Sequence, residues 1–135
     1  MVFAAALLQM QAMAQEKSKP VEVVVTPYTT TMLANGKDEA QIKITVVDKA
    51  GNVTSTNKLI KFIVTGDAAI TRLSDHQNDR AMPATGKSLS QGKLINNVLW
   101  VTLRAGHHTG HVKFEAKADS LWTGATDIQL SLIHI

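Results

Sequence analysis

The feature that most restricts this chain is a period of two that recurs from residue 21 onward. Ala40 to Asp48 (AQIKITVVD) alternates Ile42, Ile44 and Val46 with Lys43 and Thr45, which puts the apolar set on one face of an extended strand. Leu59 to Gly66 repeats it, setting Ile60, Phe62 and Val64 against Lys61 and Ile63. Asn97 to Gly106 turns Leu99, Val101 and Leu103 one way, and His111 to Ala118 does the same with Val112, Phe114 and Ala116. Val21 to Tyr28 (VEVVVTPY) is rich in β-branched residues and stops at Pro27, which has no N–H for a ladder and so marks a strand end or a sheet edge. No stretch after residue 20 carries a helical stripe.

Turn chemistry separates these runs at short intervals: Asn35-Gly36, Lys49-Ala50-Gly51-Asn52, Gly66-Asp67 and Gly106 to Gly110. Short half-apolar strands with frequent turns predict an all-β fold of two packed antiparallel sheets. Ser74 to Gln91, polar and holding Pro83 and Gly86, reads as a long surface connection between the sheets. A length of 135 residues suits one domain with a real core. Basic residues are scattered, the formal net charge is only +3 and aromatics make up 4%, so the phosphate-binding and stacking surfaces of a nucleic-acid protein are missing. The absence of cysteine removes a disulfide framework and any thiolate zinc site.

Both ends read differently from the middle. Met1 to Leu8 (MVFAAALL) is a short apolar run, and Ala12-Met13-Ala14 before Gln15 is a small-x-small cleavage pattern, which predicts a signal peptide over residues 1–14 and a secreted protein. The basic residues expected ahead of the run are missing, which a start codon upstream of Met1 would explain; a buried or amphipathic helix is the other reading. The run is too short for a permanent anchor, so no membrane partner is expected beyond the signal peptide. Glu16 to Pro20 reads as a charged leader, residues 15–20, into a sandwich over residues 21–129. Leu130 to Ile135 matches the in-frame product of a transposon-end sequencing adapter, which predicts that residues 130–135 are not native. The alternation of Ile128, Leu130 and Leu132 also fits a last strand.

Candidates for chemistry are few. Glycoside cleavage needs two carboxylates facing each other across the sugar. Asp38, Glu39, Asp48, Asp67, Asp75, Asp79, Glu115, Asp119 and Asp127 fall nearly all in turns or on polar strand faces, so no catalytic residue is assigned. His107, His108 and His111 cluster in Gly106-His107-His108-Thr109-Gly110-His111, at a glycine-flanked turn, and are the metal candidates. Such a turn points its side chains apart, and no neighbouring cysteine or carboxylate in the sequence completes a tetrahedral set, so neither a metal nor any other cofactor is expected. Trp122, in Ser120-Leu121-Trp122-Thr123-Gly124, is the candidate sugar-stacking platform, whereas mid-strand Trp100 reads as packed.

Ala34-Asn35-Gly36-Lys37-Asp38, the alternating strand after it and the closing Asp48-Lys49-Ala50-Gly51-Asn52 resemble the bacterial immunoglobulin-like domain of invasin-type adhesins and of accessory modules in glycoside hydrolase family 2 enzymes. Lys61 to Gly66 is similar to the family's third strand with its terminal glycine. Leu103 to Gly106 with Gly110 to Ala116 is similar to its closing hairpin. The resemblance covers about Val21 to Gln129 and implies an immunoglobulin-like antiparallel β-sandwich. The variant with Ala118-Asp119-Ser120-Leu121-Trp122-Thr123-Gly124 is most similar to modules from polysaccharide-degrading enzymes of Bacteroidetes, especially β-galactosidase-like members of family 2. It implies a non-catalytic accessory module whose partners are a catalytic domain of the same polypeptide and a polysaccharide, at the periplasmic or outer-membrane surface of a Gram-negative bacterium. The catalytic glutamates of family 2 lie in a separate barrel. One departure stands out: here the module follows the signal peptide directly, whereas the accessory domain more often trails the barrel. A spacer repeat of a surface adhesin and a freestanding secreted binding protein are the alternatives, and fold alone does not choose among them.

Overall fold

The computed structural model describes residues 19–74 and 90–132. The signal-peptide reading and Asp75 and Asp79 lie outside the described residues. Among the described residues all regular elements are strands: β1 (Pro20–Pro27), β2 (Thr31–Leu33), β3 (Glu39–Asp48), β4 (Val53–Thr54), β5 (Ile60–Thr65), β6 (Ala68–Ser74), β7 (Gln91–Gly92), β8 (Leu99–Ala105), β9 (Gly110–Lys117) and β10 (Gly124–Ser131). No described helix is long and apolar enough to cross a membrane.

The strands form two sheets. One runs β1-β3-β8-β6, and β4 pairs with β3 where β8 stops. The other runs β2-β10-β9-β5-β7. All pairings are antiparallel except β2 with β10, which run parallel. The sheets face each other across a layer in which Ile42, Ile44 and Val46 of β3 and Leu99, Val101 and Leu103 of β8 meet Ile60 and Phe62 of β5 and Val112, Phe114 and Ala116 of β9, all buried. The Phe62 and Phe114 rings stack with centroids 5.7 Å apart. Removing this surface from water is the main favourable contribution to folding. No described buried side-chain nitrogen or oxygen lacks a hydrogen-bond partner.

The expected immunoglobulin-like sandwich is therefore present, with more strands than alternation reveals. β2, β4 and β7 are too short to show a period. In β6 a register shift between Ile70 and Arg72 breaks the alternation, because a bulge moves later side chains to the other face. Ser74 is buried at the end of β6 rather than opening a surface loop. β10 runs through Ser131 with Ile128 and Leu130 buried, as alternation reads them, whereas Leu132 lies past the strand and is exposed.

One side of the sandwich is closed by backbone. The Val23 N–H donates to the Trp122 carbonyl and the Trp122 N–H to the Val21 carbonyl, both at 2.9 Å. This draws the start of β10 against β1, and a Cβ on Gly124 would stand 2.5 Å from the Val23 carbonyl oxygen. Glycine is required there by that close approach. Gly124→Ala is expected to destabilise the fold by about 1–3 kcal/mol through overpacking, and Phe114→Ala by about 3–5 kcal/mol through a central cavity. Urea unfolding followed by tryptophan fluorescence measures both.

Candidate functional site

The turns that carry the family resemblance are built by their own side chains. Asn35 Oδ1 accepts the N–H groups of Lys37 at 2.9 Å and Asp38 at 2.7 Å, an Asx-type turn. Asp38 Oδ2 accepts the Leu33 N–H at 2.8 Å, tying the turn back to β2. At the far end of β3, buried Asp48 accepts the N–H groups of Ala50 at 2.9 Å and Asn52 at 3.0 Å through Oδ1. Asn35, Asp38 and Asp48 thus hold turns in shape.

The Asn35 turn docks on the histidine loop. The Gly36 N–H donates to the Gly106 carbonyl at 3.0 Å and the Ala105 N–H to the Asp38 carbonyl at 2.8 Å, while the His107 ring lies against Gly36. His108 turns elsewhere, and its Nδ1 sits 3.0 Å from Asp67 Oδ2. His111 stands exposed on β9, across from Gln129. The three histidines therefore have separate surroundings, and among the described residues no group of three or more His, Asp or Glu side chains is placed to hold a metal ion.

A carboxylate does stand beside this loop, contrary to the sequence reading. Asp67 Oδ2 accepts the His107 N–H at 2.8 Å and the His108 N–H at 2.9 Å, and a Cβ on Gly106 would fall on the carboxylate itself. The His108 N–H and the His108 ring, helped by the His107 N–H, hold the Asp67 carboxyl below the usual carboxylate range. This is an anchor for the β8–β9 loop.

The other carboxylates are dispersed. Glu39 pairs with Arg72 at 3.1 Å, Glu115 lies 3.6 Å from Lys113, and Asp127 is exposed on β10. Trp100 is half-buried on the outward face of its sheet, with Lys43 Nζ 5.9 Å from its ring centroid, a cation–π contact. Trp122 is 77% exposed, its backbone fixed by β1 and its ring free on the surface.

Hollows open on the surface of the described residues, two of them beside residues already named. One, of ≈ 310 Å³, lies beside Asp67, between Thr71 of β6 and Arg104 of β8. The larger, of ≈ 560 Å³, opens where the approach to β5 meets the β9–β10 connection, and Lys58, Lys61, Lys117, Asp119, Ser120 and Thr123 stand on its wall. Alternation placed Lys61 on a polar face but did not bring these residues together, since that takes the β5–β9 register.

Residues 23–127 match the family model described as glycoside hydrolase family 2 C-terminal domain 5. Curated protein sequences returned no significant match. Among solved structures, a family 2 glycosyl hydrolase from Bacteroides cellulosilyticus superposes with TM-score 0.70 at 22% identity, covering 84% of this chain and 14% of that one. A β-glycosidase from Bacteroides vulgatus gives TM-score 0.71 at 15% identity, over 83% of this chain and 14% of that one. The adhesin InvE of Yersinia pseudotuberculosis gives TM-score 0.53 at 17% identity, over 82% of this chain and 26% of that one. This chain thus spans about a seventh of the length of the two enzymes, and these likenesses speak to fold.

Asp67 yields a pH prediction. Its folded pKa is depressed, so its contribution to stability is complete above the ordinary aspartate range and is lost as pH falls through the lower folded value. Asp67→Asn should therefore be less stable than the parent chain at neutral pH. The gap should close on acidification, measured as thermal midpoints from pH 7 down to the acid limit of folding.

Proposed function

The chain belongs to the glycoside hydrolase family 2 C-terminal domain 5 family, and from that membership we propose that it is a non-catalytic immunoglobulin-like accessory module of a secreted family 2 glycoside hydrolase. The observation that carries this reading is the extent of the match, which takes in the sandwich from Val23 of β1 to Asp127 of β10. The described carboxylates fit it, because they are engaged in turns and ion pairs or stand on open surface. The module's first partner is a catalytic domain in the same polypeptide, on which it packs or from which it spaces a substrate. A second contact is a polysaccharide, met by the exposed Trp122 ring.

The finer attribution is a β-galactosidase-like enzyme of a Bacteroidetes species, acting in polysaccharide degradation at the periplasmic or outer-membrane surface. Its supports are the Ala118 to Gly124 segment, the Bacteroides source of the two enzymes above, and the apolar run with Ala12-Met13-Ala14 before Gln15. A second reading, a spacer repeat of a surface adhesin, is favoured by the similarity to InvE.

Excising residues 21–129 from the full-length polypeptide tests the proposal. The remaining enzyme should keep its turnover of a small aryl glycoside within a few-fold while its thermal midpoint falls by about 2–8 °C, as loss of a packed interface predicts. The chain alone should show no turnover. A hundredfold loss of turnover in a folded remainder, or hydrolysis by the chain itself, would contradict a non-catalytic role.

A further inference from the structure

The ≈ 560 Å³ hollow has a composition that the fold does not account for. Lys61 of β5 and Lys117 of β9 are direct partners across an antiparallel pair. Both point outward, since their neighbours Phe62 and Ala116 are buried. Like charges at that position cost stability, and among the described residues neither ammonium is in an ion pair. A third lysine, Lys58, is held at the same hollow by donating from Nζ to the Asp119 carbonyl at 2.8 Å. A carbonyl orients that ammonium without neutralising it. Asp119 supplies one carboxylate to the wall, which leaves the lysines in excess.

The rest of the lining is mixed. Leu59, 38% exposed, and Ala118 offer apolar surface, and Ser120 and Thr123 offer hydroxyls. Ser120 holds a left-handed backbone at φ 66, a conformation that non-glycine residues rarely adopt. The exposed Trp122 ring belongs to the same short connection. A hollow of this size falls within the range of small-ligand sites, about 300–1,000 Å³.

We propose that this hollow binds an acidic saccharide, a sugar unit carrying a carboxylate or sulfate group, with Lys61 and Lys117 on the anion, Lys58 at the rim, and Leu59 and the hydroxyls against the ring. The unpaired ammonium groups call for an anion. The concave shape, apolar patch and hydroxyls select a sugar over the flatter acidic surface of a protein. The site builds on the carbohydrate-contact part of the function proposed above, and is independent of whether the parent is an enzyme.

The test is calorimetric titration of the full chain with three probes: trigalacturonic acid, galactose 6-sulfate and neutral galactotriose. At least one acidic probe should bind about tenfold or more tighter than the neutral one, and added salt should weaken it. The better of the two identifies the anion. The double variant Lys61→Gln/Lys117→Gln should lose about five- to tenfold in affinity with no fall in thermal midpoint, because it removes a repulsion. Lys37→Gln/Lys49→Gln, with the same change in net charge at other sites, should bind as the parent chain does. Equal binding of neutral and acidic probes, or an unchanged affinity in the first double variant, would overturn the lysine site while leaving carbohydrate contact intact. No binding of any probe would overturn both, and leave the accessory role to the excision experiment. Protection of Lys61 and Lys117 from acetylation only when the catalytic domain is attached would overturn the saccharide in favour of intramolecular docking.

Discussion

Two sheets, each apolar on one face, have to bury those faces against each other, and the rest of this molecule follows from that demand. Ile42, Ile44 and Val46 from one sheet and Phe62, Val112 and Phe114 from the other reach almost complete burial in one continuous layer. An all-β chain without disulfides has little else to hold it together, since each hydrogen bond adds only about 0.5–1.5 kcal/mol net. Phe114 has most at stake, because its central strand β9 is paired on both sides, by β10 and β5, and its ring stacks on Phe62.

Once the inner faces are committed to the core, chemistry is left to the outer faces and the ends. At one end the Asn35 turn, Asp67 and the Gly106–His108 loop lock together through backbone N–H groups and side-chain oxygens. That network takes up the His108 ring and the Asp67 carboxylate, while His111 stands apart on β9. On the outward surface stand Lys61 and Lys117 at the larger hollow and the ring of Trp122. Among the described residues, several of the polar side chains near the turns are thus engaged in holding the fold, while lysines and an aromatic ring stand on open surface.

The sequence made β3, β5, β8 and β9 legible because each carries a period of two long enough to count, and β1 legible through its β-branched run ending at Pro27. It concealed β6, where the shift at Ile70 and Arg72 breaks the period, and it concealed β2, β4 and β7, which exist only because longer neighbours present ladder groups to them. The turn motifs were legible as turns. Their partners were not, since Asp67 and His108 meet from 41 residues apart. The same limit applied to the lysine hollow: Lys61 and Lys117 become neighbours only through the β5–β9 register, which alternation does not specify. Trp122 was legible as a surface candidate, but the hydrogen bonds from its backbone to β1 belong to tertiary structure.

Long-read sequencing of the source DNA, carried upstream of the codon for Met1 and downstream of that for Gln129, tests the accessory-module account most directly. The account predicts that the reading frame continues into a family 2 catalytic barrel with its paired glutamates. A frame that yields only further immunoglobulin-like repeats, or closes at both ends without a barrel, would contradict it.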